Sequence, residues 1–324
     1  MKYFTFVCVT FVVGSLTACL PPAGSSGLEC IAPAGAGGGW DLTCRALGRA
    51  LFELNTDMPN VRTVNMPGAG GGVGFAHTVT QRNGDEHLLV AASPSTTLNL
   101  AQGLYGSLTQ EDVRWVAAVA AEYGALAVAA DAQWDDFGAF ISDWRDNPRD
   151  VTFAGGSAVA SQDHMKILLL ARELGIEPTE VRYVPFDGGG EALVTLLGGF
   201  VQVFSGEASE LIGHMDAGTV RPLAIFSDER MTGPLDNVPT AKEFGVDLTW
   251  VTWRGYYAPA GIPDSVYDNW VELIGAVAES PEWQEELDRS RLQPFFLGGT
   301  EFSSFVRDQV ANFAQVAIDI GIVR

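Results

Sequence analysis

Apolar residues fall along the chain in short runs, each followed by a longer stretch in which they return every three or four positions. The first pattern reads as strands and the second as amphipathic helices. Strands are expected at Leu28 to Pro33, Val61 to Asn65, His87 to Ala92, Trp115 to Ala120, Ala125 to Ala130, Val151 to Ala154, Val181 to Val184, Val201 to Phe204 and Arg221 to Phe226. Helices are expected at Asp41 to Glu53, Gly71 to Gln81, Phe137 to Asp146, His164 to Leu174, Glu191 to Leu197 and Ser209 to Ala217. Pro263 opens another, in which Val266, Trp270, Leu273, Ile274 and Val277 recur at helical spacing, and a last helix runs from Glu301 to Ile320. Strands separated by helices predict an α/β fold built on parallel sheets. There is no repeat of solenoid period and no long Pro/Ser-rich linker, so a second domain would form by the chain crossing over and returning.

Composition narrows the function. The 324 residues, 47% of them hydrophobic, suffice for two domains. Forty acids against 19 lysines and arginines give a formal net charge of -21, which repels phosphate backbones and excludes nucleic acid as a partner. The first 18 residues read as an export signal: Lys2, an apolar run from Tyr3 to Val13, then Leu16-Thr17-Ala18 before Cys19. That ending resembles a bacterial lipobox with Cys19 as the lipidated first residue, although Ala18 or Ala23 would also suit an ordinary signal peptidase. Export to an oxidising compartment leaves Cys30 and Cys44 to pair as a disulfide, with two buried free thiols as the alternative.

The search for catalytic chemistry is negative. None of Lys2, Lys166 and Lys242 follows a glycine, so there is no Walker loop. The runs at Gly35 and Gly68 miss the sixth-position glycine of a dinucleotide fingerprint. His77, His87, His164 and His214 have no metal-ligand spacing, and no G-x-S-x-G elbow occurs. Neither enzyme, cofactor nor metal site is expected. What recurs is a strand, a turn rich in glycine or serine, and a helix: at Pro33 to Asp41, Pro67 to Gly74, Ser93 to Thr97, Gly155 to Ser161 and Asp187 to Gly190. Each such turn can aim unpaired backbone N–H groups at one point, so several converging turns make an anion site without lysine or arginine. Ser93, Ser95, Thr96, Ser157 and Ser161 add hydroxyls; the alternative is that each run is only a tight connection.

Six ordered motifs resemble one family, the substrate-binding receptors of tripartite tricarboxylate transporters, also called the Bug family. They are Gly37-Gly38-Gly39-Trp40-Asp41 with Arg45; Asn65-Met66-Pro67-Gly68-Ala69-Gly70-Gly71; Ser161-Gln162-Asp163-His164; Val184 to Ala192; Val238-Pro239-Thr240 with Glu243 and Gly245; and Gly255 to Pro263. The resemblance covers nearly the whole chain after the signal. It implies a two-lobed periplasmic-binding-protein-like α/β fold with a ligand cleft between the lobes, one at 28–125 plus 248–324 and the other at 126–247. It further implies a periplasmic receptor that hands its ligand to membrane permease subunits, and the lipobox reading adds a lipid anchor at Cys19.

The resemblance places the ligand among Gly37, Gly38, Gly39, Trp40, Asp41, Gly71, Ser93, Ser95 and Thr96 from one lobe and Ser157, Ser161, Asp187, Gly190 and Glu207 from the other. The loop sequence around Cys30 and Cys44 resembles the branch named for tricarboxylates, which favours citrate, while Met66 replaces the usual arginine. Several roles stay open. Asp187 reads equally as a ligand contact or a helix cap, Glu207 and Glu210 are ambiguous beside an anion, and Trp40 either lines the cleft or seals the loop against the core. A dicarboxylate, amino-acid or aromatic-acid receptor, a sensor subunit docking on a kinase, and a secreted α/β enzyme are the other classes.

Overall fold

One strand belongs to two sheets, and the rest of the fold is arranged about it. In the computed structural model, which describes residues 27–36, 39–54, 60–186, 188–290, 292–319 and 321, strand β4 runs for 17 residues from Val113 to Ala129. The signal, Cys19, Gly37, Gly38 and Asp187 lie outside the described residues. The first half of β4 pairs antiparallel with β9 (Val251–Pro259) and β10 (Gln293–Gly298). Its second half pairs antiparallel with β7 (Val203–Glu207) and β8 (Val220–Ile225).

Outward from β9 the first sheet continues through β3 (Leu88–Ala92) and β1 (Glu29–Ala32) to β2 (Arg62–Asn65). Outward from β7 the second continues through β5 (Thr152–Gly155) to β6 (Arg182–Pro185). The outer strands are parallel, as the alternation with helices predicts, but every pairing of β4 is antiparallel, so the sheet is mixed. The antiparallel partner β9 comes from a late segment of the chain, a long-range pairing invisible to local pattern.

Two expected strands, Trp115 to Ala120 and Ala125 to Ala130, are thus one. Glu122 and Gly124 interrupt the apolar run and read as a turn, yet both are extended. Gly124 has a steric reason: a Cβ there would lie 2.5 Å from the Lys166 side chain and 3.1 Å from Trp250. Helix α9 (Pro281–Ser290) and strand β10 were not expected either. The helix is strongly polar and buries only Trp283, Glu286 and Leu287, too few apolar positions to announce a helix.

The remaining helices are α1 (Gly39–Leu54), α2 (Gly72–Gln81), α3 (Pro94–Ala101), α4 (Phe137–Asp146), α5 (Gln162–Leu174), α6 (Gly189–Leu197), α7 (Ala208–Asp216), α8 (Asp264–Ala278) and α10 (Gly299–Asp319). Several carry their own boundary signals. Ser93 caps α3 and Pro94 follows at its first turn, where the missing N–H costs nothing. Asp136 caps α4, and Gly175 ends α5 in the left-handed conformation.

Packing is asymmetric across the sheets. On one face a single core runs through both halves: Leu98 of α3 and Phe313 and Val316 of α10 join Phe137, Phe140 and Trp144 of α4 and Met165, Leu168 and Leu169 of α5. Trp250, just before β9, lies 5.5 Å from the Phe313 ring within it. On the other face the cores are separate, one under α1, α8 and α9 and one under α6 and α7. Each buried large side chain contributes roughly 1.5–3 kcal/mol. The halves are therefore joined by a common core on one face, while no core cluster spans both on the other.

Cys30 of β1 and Cys44 of α1 are disulfide-bonded, with 14 residues of sequence separation and Cα atoms 5.6 Å apart, as the exported pair predicts. Both are fully buried, so the bridge pins the second turn of α1 to β1, one strand in from the edge of the sheet. Replacing both cysteines by alanine should lower unfolding free energy by roughly 3 kcal/mol in the chain-entropy model. Urea denaturation of the oxidised protein and the double variant measures this, and coincident curves would contradict it.

Candidate ligand-binding site

The helices that follow the parallel strands begin at the seam between the halves, and direct contacts tie their first turns together. Trp40 in α1 donates from its indole Nε1 to Ser93 Oγ at 3.0 Å, joining α1 to the cap of α3. The ring also seals the loop: a Cβ on Gly71 would lie 3.1 Å from it and 2.9 Å from the Tyr105 hydroxyl. Gly71 sits at φ +99°, so both conformation and space demand glycine. Across the seam, Gln162 in α5 donates to Ser95 Oγ at 2.6 Å, and Gln102 donates to the Ala160 carbonyl at 2.7 Å. In the second half, Gly156 packs directly on the backbone of Gly188 and Gly189, and the Glu210 carboxylate lies against Gly189. Gly190 faces open space.

The serine hydroxyls are oriented by what they accept. Ser93 Oγ takes N–H bonds from Trp40 and, at 3.3 Å, from the Ser95 backbone. Ser95 Oγ accepts from Gln162, and Ser157 Oγ accepts from the Asp163 backbone at 3.0 Å. A hydroxyl has one proton and two lone pairs, so each of these serines, having accepted, still has its proton to donate. No acceptor for these three protons is present among the described residues. Ser161 caps α5 by position but not with its side chain, which leaves that hydroxyl uncommitted too. Ser93 and Ser161 stand at the N-terminal caps of α3 and α5 and Ser95 in the first turn of α3, where the helix end favours negative charge.

Other predicted residues have structural occupations. Asp41, 2% exposed, accepts from Arg45 at 2.8 Å and from Asn65 at 2.9 Å, linking α1 to the end of β2. Thr96 is buried in the first turn of α3. Gly39 lies against Arg254, whose guanidinium would be 3.0 Å from a Cβ there. Glu207 turns to Lys166.

Lys166, which the sequence reading set aside for lack of a preceding glycine, is the charge at the centre of the second half. Its ammonium, 0% exposed, lies 2.8 Å from Asp163 and 3.1 Å from Glu207, and it donates to the Gly206 carbonyl at 2.7 Å. Trp250 places its ring 5.9 Å away, and Thr252 of β9 donates to the same Glu207 oxygen at 3.0 Å. Burial works against the lysine's charge, but the two carboxylates outweigh it and hold its pKa above the ordinary range. With one cation for two acids, burial pushes the Glu207 pKa up against the pull of Lys166. The signal in the sequence was Asp163 three residues before a lysine set in an apolar helix face.

His164 fixes the serine turn. Its Nδ1 accepts from the Ala160 N–H at 3.0 Å, and its ring stacks on Tyr183 with centroids 4.6 Å apart. Tyr183 in turn donates to the Ser157 carbonyl at 2.7 Å. Burial brings the His164 pKa down to about 4.

On the face of α7 and α9 a cavity of about 580 Å³ lies between the halves, walled by α7 and the Gly233–Leu235 turn on one side and by α9 and β10 on the other. Glu122 and Ser209 form part of its lining, whereas the predicted serines do not.

Comparison with known proteins identifies the family and the fold. The family model described as the tripartite tricarboxylate transporter family receptor matches residues 59–322. Protein BugT of Bordetella pertussis is 27% identical over 298 residues, 91% of this chain and 89% of its own length. Among solved structures, a TctC solute binding protein from Polaromonas superposes with a TM-score of 0.79 at 24% identity, covering 91% of this chain and 98% of that one. MatC from Rhodopseudomonas palustris with bound malate gives 0.68 at 21% identity, covering 90% and 98%. These structures share the two-lobed solute-binding fold. Among the described residues no helix is long and apolar enough to cross a membrane.

Two outcomes follow from the buried charges. Lys166→Ala leaves Asp163 and Glu207 facing each other without a counter-ion and should cost about 3–5 kcal/mol of stability, read from urea unfolding. His164 has a folded pKa below its unfolded 6.5, so its contribution is complete above pH 6.5 and is lost as pH falls towards about 4. The loss approaches roughly 3 kcal/mol, and protonation of Nδ1 breaks its bond to Ala160. In His164→Asn, whose amide oxygen can replace Nδ1 as acceptor, the difference in unfolding free energy between pH 7.5 and pH 4.5 should shrink by that amount. An unchanged difference would remove His164 as the cause.

Proposed function

The chain belongs to the receptor family of tripartite tricarboxylate transporters, and on that premise we propose that it captures a small carboxylate between its two sheet halves and delivers it, unchanged, to membrane permease subunits. The halves act as lobes, 28–125 plus 248–324 and 126–247, that close over the ligand. The observation that carries this reading is the set of hydroxyls on Ser93, Ser95 and Ser157, each accepting an N–H bond and each with a proton left for an anion. Ser93 and Ser95 come from one half and Ser157 and Ser161 from the other, so one ligand engages both.

Neutral donors suit a chain of net charge -21, which repels an anion at long range. At physiological salt the Debye length is about 8 Å, so distant surface acids are masked while contact donors are not. Each charge-assisted hydrogen bond contributes on the order of 1.5–3 kcal/mol, and a handful gives micromolar affinity after association costs. A tricarboxylate such as citrate is the first candidate, from the sequence around Cys30 and Cys44. A dicarboxylate is the second, favoured by the malate bound to MatC, a protein of the same fold. The signal and Cys19 fit a periplasmic, lipid-anchored receptor.

Isothermal titration calorimetry with citrate and malate is the test. Ser95→Ala and Ser157→Ala are each expected to weaken binding about tenfold, the loss of one such bond, without lowering the thermal midpoint much, whereas Thr96→Ala is expected to lower the midpoint more than the affinity. The buried Thr96 is the variant most sensitive to packing and serves as the contrast. Affinity unchanged in both serine variants would overturn the assignment of the site.

A further inference from the structure

We propose that Arg254 is the charged selector of the cleft, binding a second carboxylate of the ligand and so distinguishing polycarboxylates from monocarboxylates. This rests on the carboxylate-receptor reading above and deepens it. Arg254 lies on β9, beside the shared strand β4, and its Nη2 donates to Glu122 Oε1 on β4 at 2.7 Å. Glu122 receives Ser209 of α7 on its other oxygen at 2.7 Å. A chain of contacts therefore runs from the second half through β4 and β9 to Gly39 at the start of α1.

The guanidinium is under-used. It carries five N–H donors in a planar fork, and Glu122 takes one of them. The other four meet no acceptor among the described residues. The side chain is 19% exposed, so these donors are reachable rather than sealed. Arg254, Glu122, Gly39 and Thr43 share a recess of about 90 Å³ under α1 and α9, and Glu122 also walls the 580 Å³ cavity between the halves.

Gly39 supports the assignment sterically and electrostatically. A Cβ would approach the guanidinium to 3.0 Å, tight enough that the neighbour must yield, so glycine keeps the fork in place. The N-terminus of α1 adds its own positive end at the same point. Lys166 cannot do this work, because it is fully enclosed by Asp163, Glu207 and the Gly206 carbonyl. A carboxylate arriving at Arg254 can take two parallel N–H bonds, a geometry that lysine does not offer. Glu122 meanwhile holds one edge of the fork in place.

The test is calorimetry on the mature protein and on Arg254→Gln, with citrate, succinate and succinamate, in which one carboxylate is replaced by a neutral amide. Loss of about tenfold or more in affinity for citrate and succinate, with succinamate changed less than about twofold, is the expected result. Because the single change strands Glu122, the double variant Glu122→Gln with Arg254→Gln, which keeps a neutral polar pair, is measured beside it and must show the same loss of discrimination. Equal losses for all three probes, or undiminished preference for citrate and succinate in the double variant, would overturn the role of Arg254. Wild-type protein that binds none of the three overturns the receptor reading itself and this inference with it, an outcome distinct from binding that persists without Arg254.

Discussion

The ammonium of Lys166 is the constraint around which the seam is organised. A full positive charge without water must be met on every side, and it is met by Asp163 and Glu207, the Gly206 carbonyl and the Trp250 ring. Those groups come from α5, from β7 and from the segment leading into β9. Meeting one charge thus fixes the start of α5 against the start of α7 and holds both beside the strands that join the halves. Gly124 completes the enclosure, since any side chain on β4 at that point would collide with the lysine stem. The serine turn sits one helical turn away, so a rigid charge cluster underlies the hydroxyls that face the seam.

Recognition and stability are kept on different groups. Lys166, Asp163 and Glu207 are turned inward on one another, while in the proposed reading the serine hydroxyls are left for the anion. The division has an electrostatic logic. An uncompensated lysine at the seam would raise affinity for every anion alike, whereas a fixed set of neutral donors rewards only a ligand whose oxygens fall in the right places. The same logic explains Asp41, an acid in the first turn of α1 that would repel an anion if it were not committed to Arg45 and Asn65.

Much of this was legible in the sequence. The parallel strands, their helices and the glycine and serine turns are local features, and each turn of the predicted set stands at a helix start. The disulfide followed from compartment and count. Missed features are those decided by distant partners. β4 looked like two strands because Glu122 and Gly124 make sense only beside Arg254 and Lys166, which lie 132 and 42 residues away by number. β9 and β10 pair antiparallel with a strand far earlier in the chain, and no local periodicity encodes that choice. Lys166 was discounted by testing it against one phosphate motif, when its apolar surroundings marked it as a buried ion needing acids nearby.

Because β4 serves both sheets along its length, neither half is a transferable part. Cutting between Ala121 and Gly124 would give each fragment a raw edge of unpaired backbone groups, and the first fragment would also surrender β9 and β10, which return to it only after the second half has been made. A ribosome therefore releases the second half's sheet before the first half's is finished. Fusions, permutations or chimaeras of this receptor have to treat the strand as indivisible and place their joins in the outer loops instead.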